Sequence, residues 1–339
     1  MYSAHLNILG LETSCDDTSA AIVANGREIR ANIISSQIQV HQKFGGVVPE
    51  IASRKHLENI SVVIDEALRV SGLDWPDIGG IAVTYGPGLV GALLVGVSTG
   101  KALAYARNIP LIGVNHLEAH IYANFLEHPE LCLPVVCLVV SGGHTNLIYL
   151  QEHGRYELLG RTRDDAAGEA FDKIARTMGL GYPGGPQIDR LAQTGDPTAI
   201  PLPRAWLEEG SLDFSFSGLK SAVLNYLNRA NQLGSRVNYS DLAASFQQAV
   251  IDVLVYKTIH ASKQKEVKTI LLAGGVAANS WLRRQLAEAA AEAGMNLVYP
   301  SSLLCTDNAA MVACAGYYKF CRGDLAPLDL NAVPNLSLI

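Results

Sequence analysis

The sequence predicts an α/β protein of two duplicated lobes around a central cleft, and two observations carry that prediction. One order of elements occurs twice: a hairpin with a polar turn, then a strand, a glycine turn and a helix. It runs near residues 7–23 and 81–107, then near 135–149 and 269–293. The composition supplies the rest. Of 339 residues, 49% are hydrophobic and 17% charged, enough for a large core shared by two domains.

In chain order, residues 6–11 read as a strand that ends in Glu12-Thr-Ser-Cys-Asp16-Asp17. Ala20 to Val23 resume it, giving a hairpin whose turn carries carboxylates and hydroxyls. Such a turn suits phosphate oxygens or a metal, and equally a solvated turn rich in Asp and Ser. The loop from His41 to Val48 holds Gly45-Gly46, and Pro49 fits the first position of a helix. Leu57, Ile60, Ile64, Ala67 and Leu68 recur at helical spacing and predict one buried face, and Gly72 ends the helix.

Ile81 to Thr84 form a short strand before Gly86-Pro-Gly-Leu-Val-Gly91 and a helix. The glycine spacing matches a dinucleotide fingerprint, but it does not follow the first strand of the chain. No acidic residue ends the next strand, where a ribose partner belongs. Gly96 to Lys101 also falls short of a P-loop, being one residue too short and lying inside a helix. These glycines predict close packing of helix on strand.

Residues 111–121 are the most informative stretch. An apolar run ends at Asn115, where a helix is expected to start, and His116 and His120 then share one face with Cβ atoms roughly 5–6 Å apart. Two imidazoles so placed either hold one metal ion or pack at a helix start. Asp307, in the polar break Leu-Cys-Thr-Asp-Asn, is the candidate third ligand. Two His and one carboxylate suit non-haem iron or zinc. Glu118 is turned about 200° from His116, so it is not the base of a metalloprotease motif. It reads instead as a capping partner of Asn115.

Val135 to Val140 is an apolar strand that breaks at Ser141-Gly-Gly-His144-Thr-Asn146. Its paired glycines suit an anion nest or a tight hairpin turn. An insertion near 155–265 holds a helix from Gly168, the loop Gly181 to Asp189, and Phe214-Ser-Phe-Ser-Gly218-Leu-Lys220 before another helix. Thr269 to Ala273 is a strand that leads through Gly274-Gly275 to Asn279 and a helix from Ser280 to Ala293. The expected lobes are 1–113, with 309–339 as a candidate completing segment, and 114–308, holding the metal and nucleotide sites.

The net charge is −6, whereas a stand-alone nucleic-acid binder carries a basic field. RNA contact therefore needs a local patch or a partner's surface. Cysteines 15, 132, 137, 305, 314 and 321 form no C-x-x-C pair and read as reduced thiols of a cytoplasmic protein. No basic, then long apolar, N-terminal pattern predicts a signal peptide, and Leu89 to Val97 is too short to span a bilayer.

Duplicated lobes of this order resemble the ribonuclease-H-like lobes of the actin, Hsp70 and sugar-kinase superfamily. Several motifs occur together and in order: Glu12-Thr-Ser-Cys-Asp16, Gly45-Gly-Val-Val-Pro-Glu50, Gly86-Pro-Gly-Leu-Val-Gly91, Asn115-His-x-Glu-x-His120, Val140-Ser-Gly-Gly-His144, Tyr182-Pro-Gly-Gly185, Ser215-Phe-Ser-Gly-Leu-Lys220, Gly274-Gly-Val-Ala-Ala-Asn279 and Cys305-Thr-Asp307-Asn308. Together they closely resemble the bacterial TsaD family of tRNA adenosine threonylcarbamoyltransferases. The one departure is Asn115, where many members have His.

The resemblance implies that His116, His120 and Asp307 bind one iron or zinc ion. It implies that Val139, Val140, Ser141, Gly142 and Gly143 lie against the nucleotide or carbamoyl donor. Asp172, Gly185, Asp189 and Asn279 would bind adenosine, so the expected ligand is threonylcarbamoyl-AMP or an adenine nucleotide. The implied reaction moves threonylcarbamoyl from that donor to N6 of the adenosine next to the anticodon, in tRNAs reading codons that start with A. Implied partners are the tRNA anticodon loop, a smaller non-catalytic TsaB-like paralogue and a small TsaE-like P-loop ATPase, with no membrane. Glu12, Asp16 and His144 are candidate general bases. The same fold also admits an ATP-dependent metabolite kinase or a nucleotide-gated scaffold; the His pair argues against the kinase, because Mg²⁺ prefers oxygen ligands.

Overall fold

A computed structural model describes residues 6–339. In chain order the elements are β1 (Asn7–Glu12), β2 (Asp17–Ala24), β3 (Glu28–Ser36), α1 (Ile38–His41), α2 (Pro49–Ser71), β4 (Ile78–Gly86), α3 (Val90–Arg107), β5 (Leu111–Asn115) and α4 (His116–Glu127). There follow β6 (Val135–Val140), β7 (Thr145–Glu152), β8 (Arg155–Arg161), α5 (Ala167–Thr177), α6 (Gly184–Ala192), α7 (Ser217–Gln232) and α8 (Tyr239–Gln264). The chain closes with β9 (Thr269–Ala273), α9 (Ser280–Glu292), β10 (Asn296–Val298), α10 (Ser302–Cys305) and α11 (Ala309–Cys321).

The described residues form two compact units, one within Met1–Leu131 plus Pro300–Ile339 and the other Cys132–Tyr299. Each has a five-stranded sheet, ordered β3-β2-β1-β4-β5 in the first and β10-β9-β6-β7-β8 in the second. In both, the first three strands form an antiparallel meander, and the next two join parallel to its first strand. The two sheets therefore repeat one topology, as the doubled motif order predicts.

The units divide after Leu131 and after Tyr299, where the sequence places the division at 113 and 308. The physical reason is α4. Its residues from His116 to Leu126 are all buried, packed on β5 and α11 in the first unit. His116, His120 and Asp307 consequently belong to the first unit, not the second.

Close packing around β1 explains several glycines. A Cβ on Gly10 would overlap the Ala309 carbonyl, and one on Gly316 would lie 2.5 Å from Ala82 Cβ, so α11 lies directly on β1 and β4. Gly96 of α3 likewise leaves no room for a Cβ beside Thr13 Oγ1. These residues are packing positions, not a phosphate loop. In α2, Ile60, Ile64 and Ala67 are buried as expected, together with Ala52, His56 and Val63. Leu57 is 65% exposed, because the stripe that faces the sheet runs through His56 instead. Pro49 opens this helix, and Gly72 closes it in the left-handed region at φ 69°. Among the described residues no helix is long and apolar enough to cross a membrane.

Candidate metal centre and nucleotide site

Asn115 closes β5 and caps α4. Its Oδ1 accepts the N–H groups of Leu117 at 2.9 Å and Glu118 at 3.4 Å. This fixes where the helix begins and sets His116 and His120 one turn apart, their ring centroids 4.6 Å from each other. Asp307 reaches them from the turn between α10 and α11, a turn held by Asn308, whose Oδ1 accepts Met311 N–H at 3.1 Å. Asp307 Oδ1 lies 3.2 Å from His120 Nε2 and 3.5 Å from His116 Nε2. One ligand atom from each of the three residues fits within 4.8 Å of the others.

The surroundings orient this set. His116 Nδ1 is 3.2 Å from Glu12 Oε2 and 3.2 Å from Ser14 Oγ. Glu12 is wholly buried at the end of β1; it accepts Thr84 Oγ1 at 2.7 Å and Ser14 N–H at 2.5 Å. A carboxylate on Nδ1 leaves Nε2 facing Asp307, the arrangement seen around metal-bound histidines. Burial disfavours the Glu12 charge, but His116 and Ser14 outweigh it and lower its pKa. Burial also opposes a charge on His116, yet Asp307 and Glu12 raise it to about 9. Burial and then the Asp307 carboxylate raise the pKa of Asp16, and they take Asp17 to about 7.

The donor set fits a metal ion. His120 is 1% exposed, and neither of its ring nitrogens has a hydrogen-bond partner among the described residues. An orphaned buried nitrogen costs about 1–3 kcal/mol. A cation beside Nε2 and Asp307 relieves that cost, and two imidazoles with one carboxylate match iron or zinc. Glu118 is buried with its carboxylate 3.9 Å from Lys319 Nζ, away from the ligand face as its helical position requires.

The residues expected at the nucleotide lie in the second unit. Val139 and Val140 are fully buried in β6, so only backbone could meet a ligand there. At Gly142 and Gly143 a Cβ would meet nothing within 4 Å, which leaves the turn's backbone open on that side. The turn is braced by Gly168 N–H donating to the Ser141 carbonyl at 3.2 Å, and by His144 N–H donating to Ser141 Oγ at 3.2 Å.

Asp172 Oδ1 accepts Gly184 N–H at 2.7 Å and so caps α6, which carries Gly185 and Asp189 one turn apart. Asp189 in turn accepts Ser280 N–H at 3.1 Å and Ser280 Oγ–H at 3.0 Å at the start of α9. Asn279 caps the same helix through Leu282 N–H at 2.8 Å, while its Nδ2 donates to Gln247 Oε1 at 2.8 Å. A cavity of about 420 Å³ opens here, lined by Asp189, Gln193, Gln247, Ser280, Trp281 and Arg284. Asp189 thus faces the cavity beside Asn279, whereas Asp172 and Gly185 stand at the other end of α6.

Sequence reasoning misses Gln247, Trp281 and Arg284, since α8 and α9 carry no motif that marks a cavity wall. It places Glu12 in the polar turn as a candidate base. The structure makes it the partner of His116, a role signalled only by an acid at the end of an apolar strand. The Ser215–Lys220 motif is held by Asp164, which accepts the Ser215 and Ser217 hydroxyls at 2.5 and 2.6 Å and Phe216 N–H at 2.8 Å.

Known proteins resemble this chain at two levels. T. kodakarensis HypF superposes with a TM-score of 0.65 at 15% identity, covering 97% of this chain and 50% of that one. Component A of the Acidaminococcus fermentans (R)-2-hydroxyglutaryl-CoA dehydratase gives 0.55 at 17% identity, covering 93% of this chain and 99% of that one. These likenesses show the fold alone.

In sequence, a Moorella thermoacetica protein named tRNA N6-adenosine threonylcarbamoyltransferase is 64% identical, covering 98% of this chain and 97% of its own. Relatives of the same name from Desulfitobacterium hafniense and Clostridioides difficile are 59% and 58% identical, covering 98% and 97% of this chain and 98% of each relative. The model of the TsaD family, described as tRNA N6-adenosine threonylcarbamoyltransferase, matches residues 28–314. With that match spanning β3 to β5 of the first sheet, the whole of the second sheet and the His–His–Asp set, the chain belongs to the TsaD family.

Proposed function

We propose that this chain transfers a threonylcarbamoyl group from threonylcarbamoyl-AMP to N6 of the adenosine next to the anticodon, in tRNAs reading codons that start with A. One observation carries the reading: a buried pair of imidazoles facing one carboxylate, in a chain that its similarly named relatives match over 97–98% of its length. His116, His120 and Asp307 would hold one divalent ion, iron or zinc. That ion would supply Lewis-acid polarisation to the donor's carbonyl or phosphate oxygen.

The reaction is an acyl transfer. N6 attacks the carbamoyl carbon and a C–N bond forms. The C–O bond to phosphate breaks, AMP leaves with the electron pair, and N6 gives up a proton. N6 is a weak nucleophile and the donor an activated one, so the protein's tasks are positioning and charge stabilisation. The Ser141–Gly143 turn, with its backbone open, suits the donor's phosphate. Asp172, Gly185, Asp189 and Asn279 suit its adenosine. Asp172 and Asp189 already cap helices, so their geometry is set before a ribose hydroxyl arrives. Glu12 is committed to Ser14, Thr84 and His116, which leaves Asp16 and His144 of the candidate bases to take the N6 proton. The target base must be splayed from the anticodon loop.

The acidic chain calls for help in holding RNA. A TsaB-like paralogue and a TsaE-like ATPase are the proposed partners, in the cytoplasm. The deciding experiment follows labelled threonine from threonylcarbamoyl-AMP into unmodified tRNA with those partners present. Label that appears with this chain and vanishes with His116→Ala supports the transferase; no label with either protein overturns it.

A further inference from the structure

Residues 324–339 form no strand or helix, yet they are tied to the elements around His116. Ala326 N–H donates to the Leu111 carbonyl at 2.8 Å, and Lys101 Nζ donates to the Leu330 carbonyl at 3.0 Å. Val333 N–H donates to the Tyr85 carbonyl at 2.8 Å, and the Pro334 carbonyl accepts Gly88 N–H at 3.0 Å. The Ser337 carbonyl accepts Asn115 Nδ2–H at 3.1 Å. We infer that the segment Val333–Ser337 is a strap that positions His116 for metal binding.

The strap acts by two routes. The first runs through Asn115. The Asn115 Oδ1 begins α4 by capping Leu117 and Glu118, while its Nδ2 is held by Ser337. With both ends of the amide engaged, the side chain cannot flip, and the backbone that carries His116 is fixed from outside its own helix. The second route runs through Gly88. Pro334 holds the Gly88 amide, and Gly88 lies so close to Ser14 that a Cβ would be 2.6 Å from the Ser14 carbonyl. Leu89 N–H donates to that carbonyl at 2.8 Å, and Ser14 Oγ stands 3.2 Å from His116 Nδ1. One route sets the His116 backbone and the other the hydroxyl that meets its ring.

The strap is built to be separable. Alternate residues from Asn331 to Ile339 are exposed, Val333 by 39%, and the tail residues packed on the core, Ala326 and Leu330, precede it. Segments with few buried apolar contacts open at low cost. Removing the strap therefore leaves the core standing.

The test rests on the metal reading above. It compares the full chain, a chain ending at Ala332, and Asn115→Ser, whose hydroxyl still caps α4 but cannot reach Ser337. Zn²⁺ affinity is measured by competition with a chromophoric chelator. Co²⁺ absorption bands report ligand geometry, and the melting of the metal-free chain reports folding. The expected result for the shortened chain is an unchanged fold, Zn²⁺ binding about 10–100-fold weaker, and altered Co²⁺ bands, the size of effect outer-shell changes give. Asn115→Ser, which cuts one route, should fall between. A synthetic peptide of residues 332–339 should restore the Co²⁺ bands of the shortened chain. Wild-type affinity and bands in the shortened chain overturn the strap. Should that chain fail to fold, wild-type affinity in Asn115→Ser overturns it instead. A full chain that takes up neither ion overturns the metal reading and the strap's role with it, whereas normal uptake by all three proteins overturns the strap alone.

Discussion

His120 Nε2 lies 3.2 Å from Asp307 Oδ1, although one residue sits on α4 and the other in the turn before α11. Neither His120 nitrogen has a hydrogen-bond partner among the described residues, so a buried imidazole stands beside a carboxylate with its ring nitrogens unsatisfied. An ion between them answers both groups. Asp307→Ala should therefore bind zinc or iron more weakly by more than the roughly 10–100-fold that an outer-shell change costs. Transferase activity should fall with it. Metal analysis and tRNA labelling check the pair of effects; an active, metal-free Asp307→Ala protein would remove the ion from the reaction.

Glu12→Gln tests the outer shell. Glutamine keeps an acceptor for Ser14 N–H but loses the charge beside His116. Metal affinity or activity should drop by about 10–100-fold. Chelator competition reads the first and label transfer the second.

Gly10→Ala tests how closely α11 is seated. The added methyl would overlap the Ala309 carbonyl and lie 2.7 Å from the Ala313 nitrogen, both backbone atoms that cannot turn aside. A loss of about 1–3 kcal/mol is expected, typical of overpacking, and denaturant unfolding would report it. Because α11 follows Asp307 directly, metal affinity should decline in the same protein. A stability equal to wild type would mean the helix can shift freely.

His56 supplies a pH dependence. It is buried on α2, with Nε2 3.0 Å from the Cys15 carbonyl and Nδ1 2.8 Å from Thr18 Oγ1. Burial lowers its pKa below the ordinary 6.5, with a further push from His41, against the Cys15 carbonyl and Glu12, which raise it. The folded state thus prefers the neutral ring. The unfolded state takes up the proton first as pH falls, so His56 costs stability progressively below about 6.5 until the folded pKa is passed. His56→Gln, which can keep a donor toward Cys15, should flatten that part of the stability curve. An unchanged slope between pH 7 and 5 would show that other groups set it.

The doubled hairpin and strand–glycine–helix order was legible because each strand is a short apolar run bounded by glycine or polar residues. Thr269–Ala273 is bounded so sharply that the expected strand coincides with β9. The clustering of His116, His120 and Asp307 was legible because the two histidines are one turn apart, and Asp307 lies in a polar break between apolar segments. The unit to which they belong was not legible. A helix buried all round, like α4, does not announce which sheet it joins, and α11 returns to the first sheet from the far end of the chain. Leu57 misled for a related reason: it fits the period of α2, but burial follows the stripe through His56 and Ile60. The walls of the cavity beside Asp189 come from three separate helices, and no local pattern connects them.

The first unit is interrupted in sequence, since residues 132–299 emerge before the segment that carries Asp307 and α11. On a ribosome moving at about 5–20 residues per second, β1, β2 and β4 wait roughly ten to sixty seconds for the helix that covers them. Throughout that interval the two histidines lack their carboxylate. A chain released early therefore lacks the carboxylate that meets His116 and His120 and leaves an apolar sheet face uncovered, the kind of exposed surface that chaperones and proteases capture. Closing the His116–His120–Asp307 set requires that translation has run past residue 307.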